Sequence, residues 1–161
     1  RLVKLQQGVI LAETKHGFVC ANAGIDNSNV SQNRNKVTLL PIDSDRSARG
    51  ISKEIRIREK KNVAVIISDT FGRPFREGQV NVAIGISGLE PVKSYVGNKD
   101  MYGKSLRVTE IAIADEIASA AELVMGKTSR IPIVIIRGLQ YDFRKANILR
   151  LIRRKENDFF R

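Results

Sequence analysis

Hydrophobic residues along this chain fall into short apolar runs, which predict strands, and into stripes spaced three and four residues apart, which predict helices. Strands are predicted at residues 8–12, 18–21, 37–41, 63–67, 79–87, 91–96 and 131–136. The run 63–67 is apolar throughout, which is typical of a strand buried on both faces. Between the second and third strands, the polar residues 31–36 predict an exposed loop.

Three helices are predicted from the remaining pattern. The first follows the capping oxygens of residues 43–45 and runs to about Lys60. The second covers residues 106–125, carries a narrow stripe of mainly small side chains and ends at Gly126. The third is basic and covers residues 144–154. Because small side chains let another backbone approach closely, we expect the second helix to be central or to lie at a subunit contact.

Length and composition limit the class of protein. A chain of 161 residues predicts one domain with a hydrophobic core. No apolar run approaches the roughly 20 residues that span a bilayer, and the first residues lack the apolar segment of a signal peptide. The single cysteine, Cys20, excludes an internal disulfide and indicates a reducing compartment. The chain begins with Arg1 rather than Met, which is consistent with a piece of a longer protein.

The formal net charge of +11 favours anionic partners, among them nucleotides, nucleic acids and polycarboxylates. The charge does not distinguish between these partners. Two dense basic runs, 56–61 and 150–155, are interpreted as solvated helix ends. Because the sequence has neither aromatic residues interleaved with basic ones nor a recognition-helix pattern, nucleic acid is the less favoured partner.

Chemistry-bearing side chains directly follow the apolar run 63–67. Asp69 and Thr70 offer a carboxylate and a hydroxyl, which suit a hard divalent cation. Arg73 and Arg76 come next, and guanidinium groups suit a phosphate or a carboxylate. Two interpretations stay open from these residues alone: a turn with solvated arginines, or a ligand site at the end of a strand.

Several common catalytic motifs are excluded. Residues 126–128 look like the end of a phosphate-binding P-loop, but Ala121 replaces the first glycine and the segment leaves a helix instead of beginning one. One histidine and one cysteine cannot form a zinc site from these residue types alone. A catalytic pair of Cys20 and His16 is less favoured than a buried, inert thiol.

A second polar segment, residues 26–29, also follows a predicted strand. If both strand ends open on one crevice, Asp26 and Asp69 are placed to hold one or two divalent ions, which take carboxylate oxygens at about 2.0–2.6 Å. Asn29 would then contact a base, a sugar or a phosphate, and the two arginines would balance phosphate charge. Spacing alone does not decide between this site and a simple turn closed by Asp26 and Asn29.

Six segments form a set of long motifs that covers nearly the whole chain. They are residues 13–29 (ETKHGFVCANAGIDNSN), 39–43, 68–79 (SDTFGRPFREGQ), 83–88, 114–123 and 132–138 (PIVIIRG). In this order they resemble the signature motifs of the coenzyme F-420 γ-glutamyl ligases. Because the motifs are long, the resemblance is specific.

The resemblance implies an α+β fold with a mixed sheet and packed helices, working as an intertwined homodimer in the cytoplasm. It implies a GTP-dependent enzyme that joins L-glutamate, in γ-linkage, to a deazaflavin coenzyme precursor, with Mg²⁺ or Mn²⁺ and with K⁺. The implied metal ligands are Asp26 and Asp69, with Thr70 beside them. The implied GTP contacts are Asn29 and the loop after the long helix, which comprises Met125, Gly126, Lys127 and Thr128.

At two positions the sequence departs from the pattern of this family. Lys127 stands where the family carries Gln or Glu, and Asn81 stands where it carries Asp. The family's N-terminal part is expected to lie outside this chain. Three functions therefore stay open, in this order: the ligase, a paralogue with another acceptor or weakened catalysis, and a basic non-enzymatic module. The module would bind nucleotide or RNA with a steep salt dependence.

Overall fold

The computed structural model describes residues 1–6, 8–30 and 35–158, so most of the predicted loop 31–36 lies outside the described residues. Its N-terminal sheet has three antiparallel strands in the order β1–β2–β3. These are β1 (Leu2–Gln6), β2 (Val9–Glu13) and β3 (Val19–Ala21). A 3-10 helix at Asn22–Gly24 follows β3 and leads the chain to Asp26.

The centre of the fold is a long hairpin that packs against two helices. Helix α1 (Ser44–Glu59) begins after Asp43, whose carboxylate accepts a hydrogen bond from the Arg46 N–H at 2.7 Å. Strand β4 (Val65–Arg73) then pairs antiparallel with β5 (Arg76–Ser87). Helix α2 (Ile113–Met125) packs against β5, as α1 does.

Shorter elements complete the described chain. Strands β6 (Lys93–Ser94) and β7 (Glu110–Ile111) form a small antiparallel pair. Two more 3-10 helices lie at Ile148–Arg150 and Lys155–Asn157. Sheets and helices packed in one structure confirm the predicted α+β class.

The hydrophobic core lies between the hairpin and the two helices. Its buried members are Phe18, Ala83, Ile84, Ile86, Leu89, Ala114 and Ile148. On α2, Ala114 and Ala118 are only 0% and 2% exposed, so the stripe of small side chains faces the core. A Cβ added at Gly85 would lie 2.5 Å from the backbone of Ser44, so only glycine lets β5 approach α1 this closely.

An irregularity in the hairpin prepares the outer edge of β5 for contact with both helices. The register pairs Ile67 with Gly85 but Ser68 with Ala83, so β5 contains one extra residue at this point. In a regular strand, amides three residues apart point to opposite edges. The bulge changes this alternation, so the N–H groups of Ala83 and Ile86 both point away from β4.

Two aspartates, one from each helix, accept these amides. Asp115 Oδ1 accepts from the Ala83 N–H at 2.9 Å, and Asp45 Oδ1 accepts from the Ile86 N–H at 2.8 Å. The other oxygen of Asp45 accepts from the Ile148 N–H at 3.1 Å. Burial raises the pKa of Asp115, and its hydrogen bond to Ala83 offsets part of that rise. These bonds fix how both helices lie against β5.

Two predicted strands shrink to single contacts. Within 37–41, only Thr38 pairs, in an isolated bridge with Asp26. Within 91–96, the strand is limited to Lys93–Ser94. Both runs are short, and an apolar run becomes a strand only where a neighbouring strand accepts its backbone hydrogen bonds.

The two runs that are apolar throughout were predicted as buried strands, and both predictions need correction. The run 63–67 enters β4 only at Val65, and its side chains are half-buried instead of fully buried. Residues 131–136 join no sheet within the described chain, and Ile133 and Ile135 are 78% and 75% exposed. Apolar composition therefore predicted burial that this chain by itself does not supply.

The two helices predicted around the later segments are also wrong in extent. Helix α2 begins at Ile113 instead of residue 106, because the Leu106 N–H donates to the Asn98 carbonyl at 2.8 Å in a local hairpin. The basic helix predicted at 144–154 is reduced to one 3-10 turn, because the Arg144 N–H is bonded elsewhere, to the Gly88 carbonyl at 3.2 Å. No helix in the described ranges is both long and apolar enough to cross a membrane.

We predict that Asp45→Ala destabilises the protein by about 2–4 kcal/mol. The substitution leaves two buried N–H groups, those of Ile86 and Ile148, without their acceptor, and each such loss costs about 1–3 kcal/mol. Urea denaturation measures the change. The matched control is Asp142→Ala, which removes an 83% exposed carboxylate and is expected to stay within about 0.5 kcal/mol of the unsubstituted protein. Equal stability of the two variants would contradict the structural role of Asp45.

Candidate metal and nucleotide site

Asp26, the first predicted metal ligand, lies in a tight polar turn after β3. Its Oδ2 accepts a hydrogen bond from the Ser28 hydroxyl at 2.6 Å, and its Oδ1 accepts from the Ser28 N–H at 2.8 Å. These bonds, the hydroxyl bond above all, lower the pKa of Asp26, and the charge of Lys127 lowers it a little further. Asp26 is therefore held as an exposed carboxylate anion.

Asn29 connects this turn to the end of α2. Its backbone has a φ of +54°, in the left-handed region that Asn adopts more readily than most residues. Its side-chain Nδ2 donates to the Lys127 carbonyl oxygen at 3.1 Å, across 98 positions of sequence. Two residues that the sequence predicted as GTP contacts therefore lie next to each other.

Asp69 and Thr70 lie inside a strand, whereas the sequence predicted them after one. Strand β4 continues through them to Arg73, because the hairpin register pairs Asp69 with Val82 and Thr70 with Asn81. Asp69 Oδ1 accepts a hydrogen bond from the Thr70 N–H at 2.7 Å. The two side chains are thus presented by a paired strand and not by a loop.

Four side chains where β4, β5 and α2 meet form a closed ring of polar contacts, here called the Lys127 ring: Thr70, Asn81, Glu122 and Lys127. The Thr70 hydroxyl donates to Asn81 Oδ1 at 2.7 Å, and Asn81 Nδ2 donates to Glu122 Oε2 at 2.9 Å. Lys127 Nζ lies 3.4 Å from Glu122 Oε1 and donates to Thr70 Oγ1, which closes the ring. Asn81 is buried, whereas the Lys127 side chain is 55% exposed.

Lys127 brings the two predicted metal ligands to one region of the surface. Its carbonyl is bonded to Asn29, three residues from Asp26, and its ammonium is bonded to Thr70, the neighbour of Asp69. The predicted convergence of the two acidic segments is therefore present in the structure, with a lysine between them.

Asp69 also lies near β3, the strand that leads towards Asp26. Strands β3 and β4 contact each other. The pKa of the buried Cys20 thiol in β3 is raised first by burial and then by the negative charge of Asp69. This electrostatic effect agrees with a position of Asp69 on the side of β4 towards β3. The same burial makes Cys20 an inert thiol, as predicted.

The oxygen atoms available here are of the type that Mg²⁺ and Mn²⁺ prefer. They belong to the carboxylates of Asp26, Asp69 and Glu122 and to the hydroxyl of Thr70. Within residues 1–6, 8–30 and 35–158, however, no three His, Cys, Asp or Glu side chains are grouped closely enough to form a metal cage. The donors therefore fit a divalent ion by their chemistry, while the Lys127 ammonium lies among them.

The other residues predicted to contact GTP are neighbours of Lys127 in the chain. Met125 is the last residue of α2, and the Gly126 N–H donates to the Glu122 carbonyl at 3.0 Å. Thr128 follows in an exposed bend. These residues share a surface with the Asn29 turn because Asn29 is bonded to the same segment.

The two arginines stand apart from this surface. Arg73 and Arg76 pair across the end of the β4–β5 hairpin, and both are exposed. The Arg73 guanidinium donates to the Glu77 carbonyl at 3.3 Å. Among the described contacts, no hydrogen bond or ion pair joins either arginine to the Lys127 ring.

Sequence analysis did not include Asn81 and Glu122 among the site residues. A pattern that would have found them is a polar residue on an inward face. Glu122 is four residues after the buried Ala118 on α2, and Asn81 is two residues before the buried Ala83 on β5. Each therefore shares a face with a core residue, and a polar side chain on such a face needs a partner.

A comparison with protein families matches residues 1–138 to the family model described as F420-0:Gamma-glutamyl ligase. The chain belongs to this family. The match confirms the resemblance that the sequence motifs indicated, and it includes both acidic segments and all four members of the Lys127 ring.

Individual proteins of the F420-0:Gamma-glutamyl ligase family are similar along the chain. Three are named coenzyme F420:L-glutamate ligase. The protein of Methanocaldococcus jannaschii is 49% identical and that of Methanothermobacter thermautotrophicus is 47% identical, each over 99% of this chain and 64% of the relative. The protein of Methanopyrus kandleri is 44% identical over 99% of this chain and 65% of the relative. The chain thus spans a little under two thirds of the length of these relatives.

We predict that Ser28→Ala raises the pKa of Asp26 towards its ordinary value of 3.8, and more than Lys127→Gln does, because the Ser28 bonds are the larger cause of the lowering. Carbon-detected NMR titration of the Asp26 carboxyl measures this directly. Since the folded pKa is below the unfolded one, stability is present above pH 3.8 and is lost as pH falls through the folded pKa. Ser28→Ala narrows that acid window. An unchanged pKa of Asp26 in Ser28→Ala would disprove the role of the turn.

Proposed function

We propose that the protein containing this chain is a GTP-dependent ligase that adds L-glutamate, in γ-linkage, to the deazaflavin precursor of coenzyme F-420. The observation that carries the proposal is the 49% identity to a coenzyme F420:L-glutamate ligase over 99% of the chain. The convergence of the Asp26 turn, Asp69 and the end of α2 on one surface supports it, because transfer of a phosphoryl group needs charges and ligands aligned at one place.

The proposed reaction has two steps. A carboxylate oxygen of the precursor attacks the γ-phosphorus of GTP, the bond to the β-phosphate oxygen breaks, and GDP leaves with an acyl phosphate formed. The amine of glutamate then attacks the acyl carbon, inorganic phosphate leaves, and the nitrogen releases a proton to give the amide. Activation is needed because oxide is a poor leaving group. We assign no side chain as a nucleophile, since this chemistry depends mainly on positioning and charge.

Asp26 and Asp69 are proposed as the ligands of Mg²⁺ or Mn²⁺, with Thr70 beside them. Such an ion neutralises developing charge on the transferred phosphoryl group when it is bound. The lowered pKa of Asp26 supports this role, because a ligand must be deprotonated. Asp69 Oδ2 accepts no hydrogen bond within the described residues, so this oxygen has room for a further partner.

The surface formed by Asn29 and residues 125–128 is proposed to bind GTP. Lys127, a cation on this surface, suits the phosphates, and Arg73 and Arg76 are proposed as contacts of substrate or phosphate from the hairpin end. K⁺ as a helper ion and a cytoplasmic location complete the proposal. The single cysteine, Cys20, supports that location, because structural disulfides are rare in reducing compartments.

A paralogue with another acyl acceptor, or with weakened catalysis, is the second candidate. The observation that favours it is the Lys127 ammonium among the proposed metal ligands. Both candidates use the same phosphoryl chemistry, so the acceptor is what separates them. Hydrolysis of GTP without glutamylation of the deazaflavin precursor would favour the paralogue.

A homodimer is also part of the proposal. Residues 131–136 are supported as an interface because this apolar run leaves Ile133 and Ile135 78% and 75% exposed. On α2, Leu123 is 88% exposed as well. Apolar surface of this kind is stabilised when a second subunit removes it from water.

We predict that the complete gene product, given GTP, glutamate, the deazaflavin precursor and Mn²⁺, forms the glutamylated product and GDP. Asp69→Asn is expected to lower kcat/KM by at least about 100-fold, because metal-ion stabilisation contributes several kcal/mol and each ~1.4 kcal/mol is a factor of ten. Mass spectrometry of the product measures turnover. The matched control is Asp142→Asn, an exposed aspartate outside the site, which is expected to keep full activity.

Calorimetric titration of Mn²⁺ into the same proteins separates binding from turnover. The Asp69→Asn variant is expected to bind Mn²⁺ more weakly than the unsubstituted protein. Equal affinity in both would remove Asp69 from the metal site.

We predict that the complete gene product sediments as a dimer and that the double variant Ile133→Lys/Ile135→Lys raises its dissociation constant at least about tenfold. Two buried lysines at an apolar interface are costly, and ~1.4 kcal/mol is enough for a tenfold change. Sedimentation velocity at several concentrations measures this. Ile42→Lys, at a position that is 98% exposed, is the control and should leave the mass unchanged. A monomer without substitutions, or a dimer unaffected by the double variant, counts against this interface.

A further inference from the structure

Lys127 occupies a position with the surroundings of a bound cation. Its Nζ donates to Thr70 Oγ1 and lies 3.4 Å from Glu122 Oε1. Its carbonyl oxygen is held by Asn29, which fixes where the side chain begins. The pKa of Asp26 is lowered partly by the same ammonium, so a third oxygen ligand senses its charge. Carboxylate and hydroxyl oxygens around one positive charge are also what a hard metal ion takes.

The oxygen atoms around Lys127 are held in place by a group other than the lysine. Asn81 Oδ1 accepts the Thr70 hydroxyl proton at 2.7 Å, so the lone pairs of Thr70 Oγ1 are left for a cation. Asn81 Nδ2 donates to Glu122 Oε2 at 2.9 Å, so Oε1 is the oxygen that faces Lys127. Asn81 is 4% exposed and its own carbonyl accepts from the Ser119 hydroxyl at 2.9 Å. The oxygens therefore keep their arrangement when the ammonium leaves.

The ammonium itself is weakly held. The Lys127 side chain is 55% exposed, and ion pairs at this exposure contribute little to stability. A divalent ion carries twice its charge in a smaller volume, so the same oxygens interact with it more strongly.

We propose that the Lys127 ammonium is a built-in cation, which neutralises the oxygen ligands of the site in the absence of metal and is displaced when a divalent ion binds. The inference deepens the proposed function and rests on it for the biological role of the metal. Its first consequence is that the site is neutralised without free metal. Its second is that divalent ions bind more weakly than the oxygen ligands alone would allow.

The test is calorimetric titration of Mn²⁺ into four versions of the complete gene product: unsubstituted, Lys127→Gln, Lys127→Arg and Lys53→Gln. Lys127→Gln is expected to bind Mn²⁺ about tenfold more tightly, the size expected from one unit charge at ~6 Å from a divalent ion in a water-like medium. Lys127→Arg keeps the charge and is expected to match the unsubstituted protein. Lys53, exposed on α1 and remote in sequence, is the control and is expected to change nothing.

A second measurement uses the unsubstituted protein, so it does not depend on how well a variant folds. Brief treatment with an amine-acylating reagent, followed by peptide mass spectrometry, reports how accessible each lysine is. Added Mn²⁺ is expected to increase acylation of Lys127 several-fold, because the displaced ammonium enters solvent. Acylation of Lys53 is expected to stay constant.

Equal Mn²⁺ affinity of Lys127→Gln and the unsubstituted protein, or acylation of Lys127 that Mn²⁺ leaves unchanged, overturns the built-in cation. Absence of Mn²⁺ binding in all four proteins overturns it too. The glutamylation assay is read separately. Tighter binding by Lys127→Gln in a protein that makes no glutamylated product supports the built-in cation and rejects the ligase. Turnover with equal affinities supports the ligase and rejects the built-in cation.

Discussion

The bonds from two helix carboxylates to the outer edge of β5 are the constraint on which the rest of this structure depends. A two-stranded hairpin leaves that edge unpaired, and unpaired amides next to a core are costly. Asp45 and Asp115 accept the amides of Ile86 and Ala83 and bind α1 and α2 to the strand in one orientation. With α2 fixed in this way, its last turn and the segment after it lie over the polar half of the hairpin.

The site follows from that placement. The end of α2 supplies Glu122 and Lys127, β4 supplies Thr70 beside Asp69, and β5 supplies Asn81 between them. Charge is balanced within the group, since two carboxylates and a hydroxyl face one ammonium. A site of this kind is stable without metal and still offers oxygen ligands to it. The fold and the proposed chemistry thus share the same contacts.

Sequence patterns predicted the features that depend on neighbouring residues. The capped helix α1, the strand 79–87 and the polar turn at Asp26 each carry a local signal, and motif resemblance added Asp69 and the Lys127 segment. Features that depend on distant partners were missed. The extent of β4 is set by its pairing with β5, and the Lys127 ring joins residues up to 57 positions apart. The apolar run 131–136 failed as a buried strand because the described chain offers it no pairing partner.

The central claim is that Asp26 and Asp69 share a divalent ion whose place is held by Lys127 when the ion is absent. A crystal of the complete gene product soaked in Mn²⁺, with anomalous diffraction recorded at the manganese edge, tests it most directly. We expect an anomalous peak at about 2.0–2.6 Å from oxygens of both aspartates, with the Lys127 ammonium moved away from Thr70. A peak bound to only one of the aspartates, or a Lys127 still bonded to Thr70 beside the metal, would contradict the account.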